Sequence, residues 1–419
     1  MNDNQEIRKD PIRISLGGKR AMPNRSLDDT VVEPDEAVSA SSPPKAIMSM
    51  EQLRSNYETI LKAGAIYYPV AYKFLRELGR GRQGVVFLGL RQGARGCVTE
   101  HAIKVFDPAL YRTPEEYWTD MGRIASQVSR LQAIQSPYIV SRHAYDETYG
   151  IGYSQMEAID GVDLRSFLST EHLELARRNC SRQEWERFTS TIFNFEDDRF
   201  RLRLGVVVYI LRRILRGLER LHDANFLHSD VKPGNVMIDR LGNVRLIDFG
   251  RAVMAGERVT FLFGSPMYMA PETHRREPGG YYSDLYSAGL VGVEMLRGEP
   301  LTDGSVSDEE ELLRTKMDLP DKLFEILPHS VRRRRFLVRI LRRLVEPDPS
   351  ARFQTAREAE SGDDGLVVVD KQFTKAGMDA QYGRELGDYL SKLVDTRTQR
   401  VEVQPGDVAR QGSSSGIIV

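Results

Sequence analysis

The stretch that decides the fold reads His228-Ser229-Asp230-Val231-Lys232-Pro233-Gly234-Asn235, followed further on by Ile247-Asp248-Phe249-Gly250. Between these two polar segments lie the apolar residues 236–238 and the turn-forming residues 241–243, Leu-Gly-Asn. Apolar, β-prone residues on both sides of such a turn predict a short strand hairpin. Two polar loops joined by a hairpin are the layout of a catalytic centre.

The two loops carry residue types that suit phosphoryl transfer. Asp230, Asn235 and Asp248 offer side-chain oxygens, which a hard cation such as Mg²⁺ prefers as ligands. Lys232 adds a positive charge beside them. In phosphoryl transfer the protein mainly positions the reactants and neutralises charge spread over the phosphate oxygens. The stretch therefore predicts a phosphotransferase centre.

The same stretch resembles the catalytic loop and the Asp-Phe-Gly segment of the eukaryotic-type (Hanks-type) Ser/Thr protein kinases, and the family's other motifs follow in order. They are the glycine-rich loop Gly79-Arg80-Gly81-Arg82-Gln83-Gly84, the strand Ala102-Ile103-Lys104-Val105, the hinge-like residues 153–164, Gly264-Ser265-Pro266-Met267-Tyr268-Met269-Ala270-Pro271-Glu272, and residues 284–289. The resemblance covers roughly residues 72 to 358. It implies an α+β, bilobal protein-kinase fold, with a small antiparallel sheet and one main helix in the N-lobe and a larger, mostly helical C-lobe.

The resemblance also implies a site for ATP and Mg²⁺, or Mn²⁺ in its place. Asp230, Lys232 and Lys104 are expected to be catalytic: Asp230 accepts the proton of the acceptor hydroxyl and Lys232 steadies the γ-phosphate. Asn235 and Asp248 are expected to bind the metal. The residues expected at the nucleotide are Gly79, Arg80, Gly81, Gly84, Val86, Ala102, Lys104, Met156, Glu157, Ile159, Asp163 and Met237.

One position departs from the family's pattern. Helical spacing over residues 114–135 predicts the helix that supplies a glutamate to the strand lysine in active members. Counting back from Pro137 places Gln127 at that position. A glutamine can hydrogen-bond Lys104 but cannot form a charge-assisted pair, which is roughly twice as strong as a neutral bond. Asp120, two turns earlier on the same face, would restore a carboxylate if the register were shifted.

Three residues bear on regulation and on the acceptor. Ser229 replaces the arginine that in most members binds a phosphorylated activation segment, so the resemblance implies activity that does not depend on that phosphate. We therefore expect Thr260→Ala to leave activity near wild type. Ser265 supplies a hydroxyl that links the catalytic aspartate and lysine in Ser/Thr kinases, which favours serine or threonine over tyrosine as acceptor.

Two further contacts are expected to be structural. Asp284, at the start of a helix, should bind the backbone of the catalytic loop, and Glu272 should form a buried ion pair with Arg352. A small-molecule phosphotransferase with a similar nucleotide fold would lack both the segment 270–272 and this pair. That class is therefore ranked last.

The segments that flank the motifs are less informative. Residues 366–369, Leu-Val-Val-Val, are typical of a short strand or extended segment, and an amphipathic helix is expected over 386–394. The insertion is either tolerated surface decoration or a regulatory or docking element, and the C-terminal extension either folds back on the kinase domain or binds a regulatory partner. The boundaries expected are a disordered arm at 1–47, a docked amphipathic helix and linker at 48–68, the kinase domain at 69–360 (N-lobe 69–157, C-lobe 160–360, charged insertion 170–199), and a C-terminal extension at 361–419 with a mobile end.

Composition and charge set broader limits. The formal charge is −1, so nothing global attracts nucleic acid. The basic face of an arginine-rich helix near 332–343 can attract RNA, acidic substrates or lipid, but a solvated face balanced by acids is the commoner arrangement and is expected here. Two widely spaced cysteines, Cys97 and Cys180, and the lack of an apolar leader fit a reducing, cytoplasmic location. The longest apolar run is far shorter than the roughly 20 residues that span a bilayer.

Together these features predict an ATP-dependent serine/threonine protein kinase that acts on protein substrates in signalling. The alternative is a kinase-like nucleotide-binding scaffold with little or no catalysis, which Gln127, the insertion and the tails would suit. Against it, Lys104, Asp230, Asn235 and Asp248 are all present.

Overall fold

The computed structural model describes residues 48–196, 199–255, 265–302, 309–376 and 381–393. These residues form the two lobes expected of the α+β protein-kinase fold, each with its own hydrophobic core. The arm at 1–47, the end of the chain beyond residue 393 and Thr260 lie outside the described residues, so the expectations for them stay predictions.

The N-lobe is built on an antiparallel sheet of six strands in the order β1-β2-β3-β4-β6-β5. The helix α2 packs beside it, and its buried residues Tyr117, Met121 and Ile124 join the N-lobe core. The elements are α1 (Met50–Ala63), β1 (Ala65–Ile66), β2 (Tyr72–Gly81), β3 (Gly84–Gln92), a 3₁₀ turn (Ala94–Gly96), β4 (Val98–Phe106), a 3₁₀ turn (Pro108–Leu110), α2 (Pro114–Leu131), β5 (Arg142–Thr148) and β6 (Ile151–Glu157).

The N-terminal helix α1 docks on the N-lobe rather than standing free. Ser49 begins it with a capping box, and Gly64 ends it in the left-handed conformation that favours glycine. Leu53, Tyr57 and Ile60 recur at helical spacing and are buried in the N-lobe core. The amphipathic pattern of the sequence is therefore satisfied within the chain.

The C-lobe is mostly helical and is organised around α6, which is buried on most of its surface. Its elements are β7 (Gly161–Asp163), α3 (Leu164–Phe167), α4 (Glu171–Arg178), α5 (Arg182–Thr191), β8 (Phe193–Glu196), β9 (Arg199–Leu202), α6 (Leu204–Asp223), β10 (Phe226–Leu227), a 3₁₀ turn (Pro233–Asn235), β11 (Val236–Asp239), β12 (Val244–Leu246), β13 (Val253–Met254), a 3₁₀ turn (Pro266–Tyr268), α7 (Pro271–His274), α8 (Tyr281–Arg297), α9 (Glu309–Ile326), α10 (His329–Arg332), α11 (Arg335–Leu344), a 3₁₀ turn (Pro349–Ala351), α12 (Ala356–Ser361), α13 (Leu366–Lys375) and α14 (Tyr382–Ser391).

The charged insertion and the C-terminal extension pack against each other. Tyr389 of α14 is fully buried, and its hydroxyl lies 2.6 Å from Nδ1 of His172 in α4. Its ring meets Phe188 and Phe193 edge-on, with centroids 5.3 and 4.8 Å away. Arg187 adds an ion pair to Asp388 at 3.1 Å. The two segments therefore form one layer on the C-lobe, although nothing in the sequence links them.

The strand expected at residues 366–369 is wrong, because this segment begins helix α13. Its valines are β-branched and favour strands in isolation, but local propensity is weaker than tertiary packing. In the helix, Leu366, Val369 and Phe373 lie on one face and are buried in the C-lobe core. A strand would have alternated these side chains between two faces.

The arginine-rich helix α11 turns its apolar side into the core and its charges toward acids. Its pairs include Arg339 with Asp364 at 2.7 Å and Arg342 with Asp321 at 2.9 Å. This confirms a solvated face balanced by carboxylates. Within the described ranges, no helix is both long enough and apolar enough to cross a membrane.

Candidate active site

The catalytic loop runs from His228 to Asn235, between β10 and β11, and Asp284 of α8 binds its backbone. The amides of His228 and Ser229 donate to the two carboxylate oxygens of Asp284 at 2.8 and 2.9 Å, which confirms the expected contact. Burial alone would raise the pKa of Asp284, but the hydrogen bond from His222 lowers it below its ordinary value. A fixed anion therefore holds the loop, including the left-handed backbone of Ser229 at φ 62°.

The side chains of the loop converge on Asp230. Lys232 donates to Oδ2 of Asp230 at 2.7 Å, and the Asn235 amide donates to the same oxygen at 3.0 Å. Lys232 also reaches the hydroxyl of Ser265 at 3.1 Å, while the Ser265 amide lies 3.3 Å from Oδ1 of Asp230. The expected link between the aspartate, the lysine and a hydroxyl is thus present. The arrangement holds an anionic base beside a cation in a largely buried site.

The second loop places Asp248 opposite Lys104 of β4. Their Nζ and Oδ1 atoms are 2.7 Å apart, and the Gly250 amide lies 3.3 Å from the same oxygen. Burial would raise the pKa of Asp248, but Lys104 and, more weakly, Arg142 hold it well below its usual range. Asp248 has φ 57°, a strained conformation for a residue with a side chain. Such strain is common where function requires a side chain to be aimed.

Phe249, the residue after Asp248, contacts two nitrogen-bearing side chains. Its ring centroid is 5.0 Å from that of His228 and 4.9 Å from the guanidinium of Arg142. Arg142 is buried, and burial lowers its pKa to about 10. Its Nε has no hydrogen-bond partner among the described residues. The site interior therefore holds a second cation besides Lys104.

Within the described residues, neither candidate on α2 is bonded to Lys104. The Gln127 amide donates to the carbonyl of Ala252, and its own buried oxygen has no partner there. Asp120 instead accepts from the Tyr111 hydroxyl at 2.5 Å and from Arg123 at 2.7 Å. The expected bond from Gln127 to Lys104 is therefore not formed. An uncharged amide gains little from the ammonium, whereas the chain after Gly250 offers it a backbone carbonyl at close range.

Gln83, at the tip of the glycine-rich loop, takes the place that a residue of α2 was expected to fill. Its side-chain oxygen accepts from Lys104 Nζ at 3.0 Å, and Gln83 is buried. No pattern in the sequence predicts this contact, because a glutamine within a glycine-rich loop carries no signal of its own. Lys104 is thereby joined to both the glycine-rich loop and Asp248.

The glycine-rich loop is the β2–β3 hairpin, with Gly81 opposite Gly84. Gly84 has φ 139°, and a Cβ there would lie 2.0 Å from the carbonyl oxygen of Val105, so only glycine fits. A Cβ at Gly79 or Gly81 would meet nothing within 4 Å. These two positions therefore border open space, as a loop over a ligand requires. The side chain of Arg80 forms an ion pair with Glu77, with Nη2 of the arginine 2.8 Å from Oε2 of the glutamate.

The apolar residues expected around the adenine come from both lobes. In the N-lobe sheet, Ala102 pairs with Met156 and Val86 pairs with Lys104. In the C-lobe, Met237 pairs with Asp163 across β11 and β7. The strand pairing thus makes Ala102 and Met156 neighbours in the N-lobe and Met237 and Asp163 neighbours in the C-lobe.

The polar residues expected at the nucleotide have partners in the chain. Glu157 pairs with Arg245 at 2.6 Å, and Ile159, two residues on, packs against the C-lobe core. Asp163 caps α3 by accepting from the amide of Ser166 at 3.0 Å. The Ser166 hydroxyl donates to the other carboxylate oxygen at 2.7 Å, so this capping carboxylate is fixed in place.

The fit of a divalent cation rests on the donors available. Among the described residues no group of three or more His, Cys, Asp or Glu side chains could hold a metal ion. Mg²⁺ commonly needs only one or two carboxylates, with phosphates and water completing its shell. Asp248 provides a carboxylate, and the Asn235 side chain donates to Asp230 through its nitrogen, which leaves the amide oxygen as a candidate ligand. The residues fit Mg²⁺ held jointly with a bound phosphate.

Behind the segment around Ser265, the predicted ion pair between Glu272 and Arg352 is confirmed. Two hydrogen bonds of 2.8 and 2.7 Å join the side chains, and both residues are buried. The Arg352 guanidinium also lies 4.7 Å from the ring of Tyr286. The pair ties the segment after Ser265 to the end of the C-lobe.

Lys316 of α9 holds the same segment from the other side. Its ammonium donates to the carbonyl oxygen of Met269 at 2.8 Å and to that of Pro266, and it lies 3.4 Å from Nδ1 of His274. Lys316 is fully buried, and burial lowers its pKa to about 7. The helical spacing around it predicts burial at this position, but a lysine there is a weak signal on its own.

The chain matches known proteins over the segment that contains this site. Residues 72–361 match the protein kinase domain. A putative ribosomal protein S6 kinase alpha-1 from Caenorhabditis elegans is 28% identical over 266 residues, covering 62% of this chain and 30% of that protein. Ribosomal protein S6 kinase alpha-1 from Homo sapiens is 27% identical over 260 residues, covering 61% and 31%.

Ribosomal protein S6 kinase 2 alpha from Xenopus laevis is 26% identical over 292 residues, covering 68% of this chain and 34% of that protein. The chain thus spans about a third of the length of these relatives. The match to the kinase domain covers more than half of the chain and includes every loop described above. The chain belongs to the eukaryotic-type protein kinase family.

Proposed function

We propose that this chain transfers the γ-phosphate of ATP to serine or threonine hydroxyls of protein substrates. The observation that carries the proposal is the cluster around Asp230, whose carboxylate is bonded to Lys232 at 2.7 Å and to Asn235 at 3.0 Å. Ser265, 3.1 Å from Lys232, completes it and favours an alcohol as acceptor. A base, a cation and a hydroxyl held together suit transfer to a hydroxyl group.

In this proposal each residue of the cluster has one task. Asp230 orients the acceptor hydroxyl and takes its proton as the oxygen bonds to the γ-phosphorus and the bond to the bridging oxygen of ADP breaks. Lys232 neutralises charge on the transferred group. Asn235 and Asp248 would hold Mg²⁺, which supplies positive charge to the phosphate oxygens when bound.

The nucleotide residues keep the roles expected of them. Lys104 and the glycines at 79, 81 and 84 would hold the phosphates, and Val86, Ala102, Met156 and Met237 would enclose the adenine. Arg80, Glu157, Ile159 and Asp163 would border the same site. The pairing of Ala102 with Met156 and that of Met237 with Asp163 support this assignment.

Three finer points belong to the proposal. Activity is independent of a phosphate on the activation segment, because Ser229 stands where an arginine would receive it. The chain works in the cytoplasm, in keeping with two unpaired cysteines. The protein acts in signalling through a protein substrate.

The second candidate, a nucleotide-binding scaffold, is favoured by one observation. Lys104 is bonded to Gln83 and Asp248. Among the described residues, α2 supplies no carboxylate to Lys104. If that arrangement persists with nucleotide bound, the phosphates would be held without the charge pairing of active relatives. Only transfer itself separates the two candidates.

The experiment incubates the purified full chain with Mg²⁺ and γ-labelled ATP, alone and with one basic and one acidic unfolded protein. Asp248→Asn removes the metal carboxylate, and Asp321→Asn on the exposed face of α9 serves as the matched control. Transfer that disappears only in Asp248→Asn supports the kinase. Thermal stabilisation by Mg-ATP without transfer supports the scaffold, and the absence of both rejects the two candidates.

A further inference from the structure

Arg251, the residue after Asp248-Phe249-Gly250, lies against the catalytic base. Its Nη1 is 3.1 Å from Oδ1 of Asp230, and its side chain is only 14% exposed. The other carboxylate oxygen of Asp230 already accepts from Lys232 and Asn235. Arg251 therefore occupies the side of the base that an incoming hydroxyl would need.

The contact between Arg251 and Asp230 is an ion pair but a poor hydrogen bond. Although the two atoms are close, Nη1 is buried and has no hydrogen-bond acceptor in good geometry among the described residues. A buried donor without an acceptor is costly, and more so when it is charged. A ligand that offers this guanidinium an anionic oxygen would remove that cost.

A second arginine, Arg165 of α3, lies close to the catalytic loop. Its Nε lies 3.8 Å from the position that a Cβ on Gly234 would occupy. Gly234 lies between Lys232 and Asn235 in the sequence. Arg165 is exposed and takes part in none of the ion pairs of the described residues. Arg165 is also close enough for its positive charge to favour the ionised forms of Tyr268 and Glu294, which lie in or beside the segment that follows Ser265.

The cleft around the acceptor hydroxyl is thus bordered by Arg251, Arg165 and Lys232. The carboxylates close to them are engaged: Asp230 is bonded as described, and Glu294 accepts from the Tyr268 hydroxyl at 2.6 Å. A basic peptide would meet like charges here, and an acidic one would meet partners. Such complementarity contributes to specificity by penalising the wrong partner.

Building on the proposed kinase function, we propose that Arg251 and Arg165 select serine or threonine acceptors flanked by anionic side chains, either carboxylate or phosphate. An anionic group next to the acceptor draws the Arg251 guanidinium away from Asp230. Oδ1 of Asp230 is then free to accept the hydroxyl proton. Arg251 is in this sense a specificity residue, and it inhibits transfer to neutral or basic acceptors.

The experiment compares kcat/KM of the full chain on peptides that share one serine and differ only in its flanking residues: alanine, glutamate, lysine or phosphoserine. The variants are Arg251→Met, which keeps the stem without the charge, and Arg251→Lys, which keeps the charge. Arg165→Met tests the second arginine. Arg339→Met, on the exposed face of α11, is the matched control.

We expect the wild type to prefer the glutamate peptide over the alanine peptide by about tenfold, the value of one charge-assisted bond. Arg251→Met should reduce that ratio to near one, and Arg165→Met should reduce it in part. Arg251→Lys and Arg339→Met should keep most of it. The preference should weaken as ionic strength rises, since the charges at the cleft mouth are screened. Phosphoserine exceeding glutamate would identify phosphate as the stronger of the two anionic groups.

Three results would overturn the inference. The first is an equal ratio in wild type and in Arg251→Met, and the second is a wild-type preference for the lysine peptide. The third is a uniform rise for all peptides in Arg251→Met, which would make Arg251 an inhibitory contact only. If Arg251→Met fails to fold, Arg165→Met and Arg251→Lys still report the ratio. Absence of transfer to any peptide or protein rejects the proposed function itself, and the inference with it.

Discussion

The ammonium of Lys104 lies 2.7 Å from the carboxylate of Asp248, and this ion pair joins the two lobes. The lysine comes from the N-lobe sheet and the aspartate from the loop after β12. The helix α2 contributes instead through Arg123, which donates to the Gly250 carbonyl at 3.0 Å, and through Gln127, which donates to Ala252. The helix is therefore bonded to backbone carbonyls of the loop and not to the side chain of Asp248.

This arrangement predicts unequal effects of two substitutions. Lys104→Met should lower phosphate transfer by about a hundredfold or more, since it removes a charge at the phosphates. Gln127→Leu should lower it by less than about tenfold, because Gln127 supplies a single neutral bond to a carbonyl. Initial rates at saturating Mg-ATP would measure both. Equal losses in the two variants would show that Gln127 bonds Lys104 in the working enzyme.

The buried pair of Glu272 and Arg352 predicts a large effect on stability. Glu272→Gln leaves the Arg352 guanidinium buried without its counter-charge and should lower the free energy of unfolding by about 3–5 kcal/mol. The exposed pair Arg339–Asp364 is the matched control, and its loss should cost about 0–1 kcal/mol. Urea denaturation would measure both. A cost for Glu272→Gln as small as the control would contradict the structural role given to the pair.

Lys316 predicts a pH dependence of stability. Burial lowers its pKa from 10.5 to about 7, so between about pH 7 and 10 the unfolded chain holds a proton that the folded chain has lost. Stability contributed by this group therefore rises with pH across that window, by at most about 1.4 kcal/mol per pH unit. Glu272 acts in the opposite direction by favouring the charged lysine. Below pH 7 Lys316 is protonated in both the folded and the unfolded chain, so its contribution to the free energy of unfolding no longer changes with pH.

The measurement for Lys316 is the difference in unfolding free energy between the wild type and Lys316→Met at several pH values. Subtraction removes the contribution of the groups that titrate alike in both proteins. Burial and the neighbouring Lys316 hold the pKa of His274 below its ordinary value, so the changes of interest are read at pH 7 and above, where this imidazole is largely neutral. A flat difference between pH 7 and 9.5, or one that falls as pH rises, would mean that Lys316 stays charged in the folded chain.

Tyr389 predicts that the C-terminal extension stabilises the C-lobe. Tyr389→Ala should lower the free energy of unfolding by about 3–5 kcal/mol, because it removes a fully buried ring from an aromatic cluster and leaves a cavity. Tyr389→Phe should cost only about 1 kcal/mol, since it removes the hydroxyl bonded to His172 and keeps the ring. Thermal and urea unfolding would rank the two variants. Wild-type stability in Tyr389→Ala would indicate that the extension is detached in solution.

Thr260 tests the proposed independence from phosphorylation. It lies outside the described residues, and the argument rests on Ser229 alone. Thr260→Ala should retain activity near that of the wild type, with Thr260→Ser as the matched variant. A loss of about a hundredfold or more, of the size seen when a charged contact at a catalytic site is removed, would contradict the prediction.

The sequence by itself determined the residues whose partners follow from motif and spacing. Asp230, Lys232 and Asn235 lie within one short loop, so their convergence depends on few dihedral angles. Asp284 and the Glu272–Arg352 pair could be named in advance because each belongs to a motif that resembles the family's. Helical spacing likewise predicted α1 and α2, since an amphipathic face must be buried somewhere.

Only the tertiary structure decided which distant side chains meet these residues. Gln83 bonds Lys104, Arg251 lies on Asp230, and Tyr389 fills the layer beneath the insertion. Helix α13 forms at a valine-rich segment because the C-lobe core accepts one of its faces. Each of these outcomes is set by contacts between segments far apart in the chain, whose energies exceed the local preferences that a sequence displays.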